Sequence, residues 1–135
     1  MNFSALSAHS GKVLSLLRIA AGLMFMQHGA QKIFGFPAPA MMPFDIVSQM
    51  GVGGVLELVG GALLVLGLFT RCTAFVLSGM MAVAYFQFHF PQGFYPLVNK
   101  GELAALYCWV FLYIGFAGPG EWALDTLMGR KRRRY

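Results

Sequence analysis

Four apolar segments, separated by short polar or proline-containing connections, dominate this sequence. They cover residues 13–34, 51–69, 72–90 and 102–117. A helix needs about 20 mainly apolar residues to cross the hydrocarbon core of a bilayer, at a rise of about 1.5 Å per residue. Each segment is close to that length, so the sequence predicts four membrane-spanning helices.

The composition favours a membrane protein over a soluble one. Of the 135 residues, 58% are apolar and 11% are charged, and that charged share is roughly half of what a soluble domain carries. A soluble four-helix bundle is the alternative, but its helices would need polar faces that recur every three or four residues. The segments show no such faces. We therefore predict an all-α integral membrane protein, a four-transmembrane-helix bundle in which residues 1–135 form a single domain.

The distribution of positive charge predicts the orientation of the bundle. Lys12, Arg71 and the basic run at residues 130–134 lie at one end of the four predicted helices, whereas the other end holds Lys32 and Lys100. Because cytoplasmic loops are enriched in Lys and Arg, both termini are predicted to be cytoplasmic.

The net charge of +5 does not indicate nucleic-acid binding. Half of the ten basic residues lie in the last six positions of the chain. No aromatic residues alternate with them along a face, as a nucleic-acid groove would need. Residues 128–135 are instead predicted to be a basic cytoplasmic tail beside anionic lipid.

Glu57 is the only charged residue in the second apolar segment. A carboxylate at membrane depth is costly unless it is neutral, paired or hydrated, and by default it marks a functional site. Its candidate ion-pair partners are Lys32 and, deeper toward the cytoplasm, Arg18. Two interpretations stay open: a proton-exchanging site with His28 alongside, or a buried ion pair that only fixes the register of the helices.

Polar residues from all four predicted helices should meet in one layer of the outer half of the bundle. His28 and Lys32 are four residues apart and therefore share a helix face. Gly53 and Gly60 flank Glu57 at helical spacing, which predicts a seam of small residues that packs closely and buries the carboxylate. The layer consists of His28, Lys32, Glu57, Gln87, His89, Asn99, Lys100 and Glu102.

The predicted site residues fall into two groups. Glu57, His28 and Lys32 are the predicted catalytic residues. The predicted ligand-binding residues are Arg18, Gln87, His89 and Glu102. No metal site is predicted, because spacings such as HxxxH and CxxC are absent. A haem ligated by His28 and His89 is disfavoured, since these two histidines are predicted to lie at different depths.

The sequence resembles the DoxX family of small, four-helix bacterial membrane proteins over nearly all of its length. Three stretches carry the resemblance: LLRIAAGLMFMQHGAQKIF, GGVLELVGGALLVLGLFTR and NKGELAALYCWVFLYIGFAGPGEWALD. The positions that match the family pattern are Arg18, His28, Gly29, Lys32, Glu57, Gly61, Gly67, Arg71, Glu102 and Asp125.

The resemblance implies a multi-pass protein of the bacterial inner membrane that is associated with redox systems. A related protein is a subunit of a thiosulfate:quinone oxidoreductase, and others are linked to oxidative-stress complexes or to quinone and catechol tolerance. No thiosulfate-specific element is present here, so that reaction is not transferred. The resemblance suggests quinone as the ligand, no intrinsic cofactor, and a soluble or membrane-bound redox partner; homo-oligomerisation is a further expectation.

Three functions compete on these grounds. The first is a quinone-linked or redox-accessory membrane protein, such as a subunit of an oxidoreductase, in which His28 and Lys32 donate to a carbonyl and Glu57 relays protons. The second is a carrier for a small solute or for protons. The third is a scaffold that recruits a soluble redox enzyme through the basic tail and the aromatic loop at residues 92–98.

Overall fold

The computed structural model describes the backbone of residues 3–132 and the side chains of residues 4–129. This part of the chain is helical and contains no strand. The helices are α1 (Phe3–Ser7), α2 (Ser10–Phe34), α3 (Gln49–Leu66), α4 (Thr70–Ala84), α5 (Glu102–Ala117) and α6 (Leu124–Arg132), with a π-helical turn (Tyr85–His89) and a 3₁₀ turn (Phe90–Gln92) after α4.

The four predicted spans are all helical, which confirms the all-α fold class. Three continuous helical stretches, Ser10–Phe34, Gln49–Leu66 and Thr70–Gln92, are long and apolar enough to cross a membrane. The fourth, α5, is apolar but has 16 residues, or about 24 Å at helical rise. The orientation of the termini stays a prediction. Most of the predicted tail at residues 128–135 lies outside the described side chains.

The third span changes its helical geometry before it ends. The N–H of Phe90 donates to the carbonyl of Tyr85, five residues earlier, and Pro91 follows at the start of the 3₁₀ turn. A proline cannot continue an α-helix, because it lacks the N–H and its ring meets the carbonyl four residues back. Gln87 and His89 therefore point in directions that a regular 3.6-residue period does not predict.

The bundle is built from two closely packed helix pairs, α2 with α3 and α4 with α5, which contact each other less extensively. Between α2 and α3 the backbones meet at glycines: a Cβ added to Gly22 would lie 2.8 Å from the carbonyl oxygen of Gly61, and one added to Gly29 would lie 2.6 Å from that of Gly54. The close helix packing at glycines that the sequence predicted is therefore present. The prediction that Gly53 takes part in it was wrong. A Cβ on Gly53 would meet nothing within 4 Å.

The two ends of the bundle differ in their connections. The end that we call the loop end holds the two long loops, residues 35–48 and 93–101. The opposite end, the terminal end, holds α1, α6 and the short turn between α3 and α4. The buried core between the ends is mainly apolar and consists of Ala21, Phe25, Leu64, Ala74, Leu77, Met81, Tyr107, Phe111 and Ile114.

Candidate functional site

A buried ion pair joins α2 to α3 in the loop-end half of the bundle. Lys32 Nζ lies 2.5 Å from Glu57 Oε1, and the Glu57 side chain is 5% exposed whereas that of Lys32 is 26% exposed. The close backbone approach at Gly29 and Gly54 makes this contact possible, because it brings the last turn of α2 against the middle of α3. The ion pair that the sequence indicated is therefore present.

The second carboxylate oxygen of Glu57 has no hydrogen-bond partner, although it is buried. An ionised carboxylate accepts hydrogen bonds at both oxygens, and a buried acceptor without a donor is costly. This position in the site is therefore short of one hydrogen-bond donor.

Tyr107 belongs to the same region and was not predicted as a site residue. Its hydroxyl is also buried without a partner. The ring of His28 lies edge-on to the ring of Tyr107, with 6.3 Å between centroids. One signal in the sequence could have identified Tyr107, since a phenol in the middle of an apolar span needs a hydrogen-bond partner.

Two small cavities of about 90 Å³ each flank Lys32. The first is lined by His28 and by part of the 35–48 loop, including Met41, Met42 and Asp45. The second lies between α3 and α4 and is lined by Glu57, Met50, Met80, Met81, Gln49 and Phe88. A water needs about 10–15 Å³ of such volume, so each cavity accommodates several waters, and the flexible methionine side chains can widen it.

His28, Lys32 and Glu57, the three residues predicted to be catalytic, therefore lie in one connected region. The predicted ligand-binding residues lie elsewhere around it. Gln87 Oε1 accepts a hydrogen bond from Gln49 Nε2, and Gln49 lines the cavity beside Glu57. His89 Nδ1 bonds instead to the carbonyl of Asn99, at 3.1 Å, within the loop-end connection.

Two of the predicted ligand-binding residues are outside this region. Glu102 begins α5 and is exposed, at the edge of a shallow groove with Lys100 and Trp109. Arg18 is fully buried at the terminal end, where its guanidinium bonds to main-chain carbonyls rather than to Glu57. Fourteen residues separate Arg18 from Lys32 on α2, which is about 21 Å at helical rise.

Removing the lysine should destabilise the protein more than removing both charges. Lys32→Met leaves Glu57 buried without a counter-charge, and we expect a loss on the order of 2 kcal/mol, below the value for a fully buried pair because Lys32 is partly exposed. Adding Glu57→Leu to that variant should restore part of the loss. Thermal unfolding in detergent of both single variants and the double variant measures the coupling energy between Lys32 and Glu57. Strictly additive changes in stability would contradict a stabilising interaction between the two side chains.

The fold and the site define a class of protein: a small helical membrane bundle with an intramembrane Lys–Glu ion pair. The DoxX family profile matches residues 13–90, which include both partners of that pair. The chain belongs to the DoxX family.

Three relatives are similar to this chain over most of its length. An uncharacterised protein of Haemophilus influenzae is 46% identical over 123 residues, covering 87% of this chain and 92% of the relative. A second protein of that organism is 30% identical over 130 residues, with 88% and 85% covered. An uncharacterised membrane protein of Mycobacterium tuberculosis is 28% identical over 136 residues, with 85% and 80% covered. No solved structure matches this chain.

Proposed function

We propose that this DoxX protein is a redox-associated subunit of the bacterial inner membrane that binds a quinone-type ring at the loop-end site. The observation that carries the proposal is the buried Glu57 carboxylate, which is paired with Lys32 through one oxygen and unpartnered at the other, beside a methionine-lined cavity. Intramembrane charges of this kind are expensive to maintain, and in membrane proteins they mark ligand or proton pathways.

Each residue of the site has a chemical role in this proposal. The proposal assigns hydrogen-bond donation to the ligand's oxygens to His28 and Lys32, and proton exchange with the ligand to Glu57. A partner subunit or the quinone itself handles the electrons. With both termini in the cytoplasm, the loop-end site lies in the outer half of the membrane.

A carrier function receives less support from the arrangement of the polar residues. Between Arg18 and Lys32, the buried residues of α2 are Ala21, Gly22, Phe25 and Gly29, none of which has a polar side chain. The buried core between the two ends is mainly apolar. Ser78 of α4 is a buried polar residue, and its hydroxyl donates to the carbonyl of Cys108. A carrier for protons or polar solutes needs instead a polar path across the bundle. A scaffold function would use the basic tail and the aromatic loop at residues 92–98. The exposed Phe94 and Tyr95 of that loop suit the membrane interface equally well.

The proposal is tested by small molecules that copurify with the protein. Wild type, Glu57→Leu and Glu102→Leu are reconstituted in nanodiscs from the same membranes, and quinone and quinol are extracted and quantified together by mass spectrometry. We expect enrichment over lipid background in wild type and in Glu102→Leu, which changes an exposed carboxylate, and none in Glu57→Leu. Wild type without enrichment, or equal enrichment in all three proteins, would overturn the proposal.

A further inference from the structure

The unpartnered oxygen of Glu57 restricts which ligand fits the site. Lys32 already donates to Oε1 in an ion pair, while the buried Oε2 has no donor among the described residues. An ionised carboxylate cannot itself donate a hydrogen bond. The missing group is therefore a donor, such as a hydroxyl, and not another acceptor.

The cavity at Glu57 opens into the seam between α3 and α4, where the two helix pairs pack less closely. A second groove of about 310 Å³ lies between the same two helices, nearer the terminal end. It is lined almost entirely by apolar side chains, including Val55, Val59, Leu63 and Val76. Val59 and Val76 are about half exposed, so the groove faces the lipid of the bilayer.

We propose that the α3–α4 seam admits a lipid-soluble quinol from the side and binds it in preference to the oxidised quinone. This inference rests on the proposed function and deepens it. One ring hydroxyl donates to Glu57 Oε2, the ring packs among Met50, Met80 and Met81, and the apolar tail lies in the groove beside Val59 and Val76. Thioether sulfur makes favourable contacts with aromatic rings, and methionine side chains adapt to their shape.

The oxidised form fits this position poorly, because a quinone offers only carbonyl acceptors. Its oxygen would face the lone pairs of Glu57 Oε2 and leave that acceptor unsatisfied. A hydrogen bond to a charged group typically changes affinity by roughly tenfold or more. The preference for the quinol should be of that size.

Decylubiquinone and decylubiquinol, the latter kept reduced under anaerobic conditions, test the preference in nanodisc binding titrations. Wild type is expected to bind the quinol at least about tenfold more tightly than the quinone. In Glu57→Gln, the amide oxygen can still accept from Lys32 while the amide nitrogen takes the place of Oε2 as a donor. That variant should therefore reverse the preference, whereas Glu102→Gln should bind like wild type.

Entry of the ligand from the lipid through the α3–α4 seam is tested by placing a large side chain in the groove. Val59→Trp should weaken decylubiquinol binding by about tenfold and leave binding of the tail-less ubiquinol-0 unchanged. Val52→Trp is the matched control, because Val52 is a similarly exposed residue of α3 that does not line the groove. If both tryptophan variants bind both ligands like wild type, the groove is not the route.

The outcomes separate this inference from the proposed function. Binding of both redox forms that needs Glu57, but shows no quinol preference and no reversal in Glu57→Gln, overturns the inference and leaves the proposed function standing. If folded wild type binds neither the quinol nor the quinone, the inference and the proposed function are both overturned.

Discussion

Replacing Arg18 with methionine is expected to lower the free energy of unfolding by on the order of 4 kcal/mol or more, because it leaves several buried carbonyls unsatisfied at once. Arg18 is fully buried. Its Nε donates to the carbonyl of Pro119 at 2.8 Å and its Nη2 to that of Trp122 at 2.5 Å. Its Nη1 donates to the carbonyls of Leu64 and Val65 in the last turn of α3.

The guanidinium thus joins the C-terminal end of α3 to the loop that follows α5. Helix C-termini carry unsatisfied carbonyls and partial negative charge, and a buried cation there stabilises both. A lysine cannot replace it, because an ammonium group lacks the planar fork that reaches carbonyls in several directions. We therefore expect Arg18→Lys to recover only part of the stability.

Arg71→Met is the matched control at the same end of the bundle. Arg71 also donates to two carbonyls, those of Gly115 and Phe116, but it is exposed. Water or lipid headgroups can solvate the freed carbonyls, so the loss should stay below about 1 kcal/mol. Thermal unfolding in detergent, followed by tryptophan fluorescence, compares the variants. Midpoints for Arg18→Met and Arg71→Met within a few degrees of each other would contradict the proposed structural role of Arg18.

Most of the positions that match the family pattern separate into two groups in the structure, and the contacts within each group could not be predicted from the sequence. Asp125 accepts hydrogen bonds from the N–H groups of Phe69 and Thr70 at the start of α4. A Cβ on Gly67 would lie 3.0 Å from the Arg18 guanidinium carbon. These residues hold the terminal end together, whereas His28, Lys32 and Glu57 form the loop-end region. A motif records which residues occur in order, but not which of them contact each other.

The overall fold was predictable because length and hydropathy alone restrict a chain of this kind to a helical bundle. The Glu57–Lys32 pair was predictable because an intramembrane carboxylate needs a partner and few cations lie at its depth. Tyr107 was missed since its spacing relative to the polar residues of other helices depends on how the helices pack. The π-helical turn sets the directions of Gln87 and His89, and a regular helical period in the sequence does not predict that turn.

Which glycines of α2 and α3 lie at the close contact between the helices also depends on packing. One pair of alanine variants tests this by its effect on stability. Gly29→Ala should destabilise the protein by roughly 2–3 kcal/mol, because overpacking a close contact forces backbone shifts. The added Cβ would lie 2.5 Å from the main-chain nitrogen of Leu58 and 2.6 Å from the carbonyl oxygen of Gly54. Neither atom belongs to a flexible side chain, so α2 must move away from α3.

That movement should also weaken the site, since Lys32 lies one turn beyond Gly29 and reaches Glu57 across the same interface. Gly53→Ala is the control, because its Cβ meets nothing within 4 Å and alanine favours a helix by about 0.5–1 kcal/mol over glycine. We expect Gly53→Ala to unfold at or above the wild-type temperature and Gly29→Ala to unfold below it. Because Gly53 lines the cavity beside Glu57, the copurifying ligand is compared between Gly29→Ala and wild type, and Gly29→Ala should lose it. Equal melting temperatures for the two variants would mean that the α2–α3 backbones do not approach as closely as these contacts require.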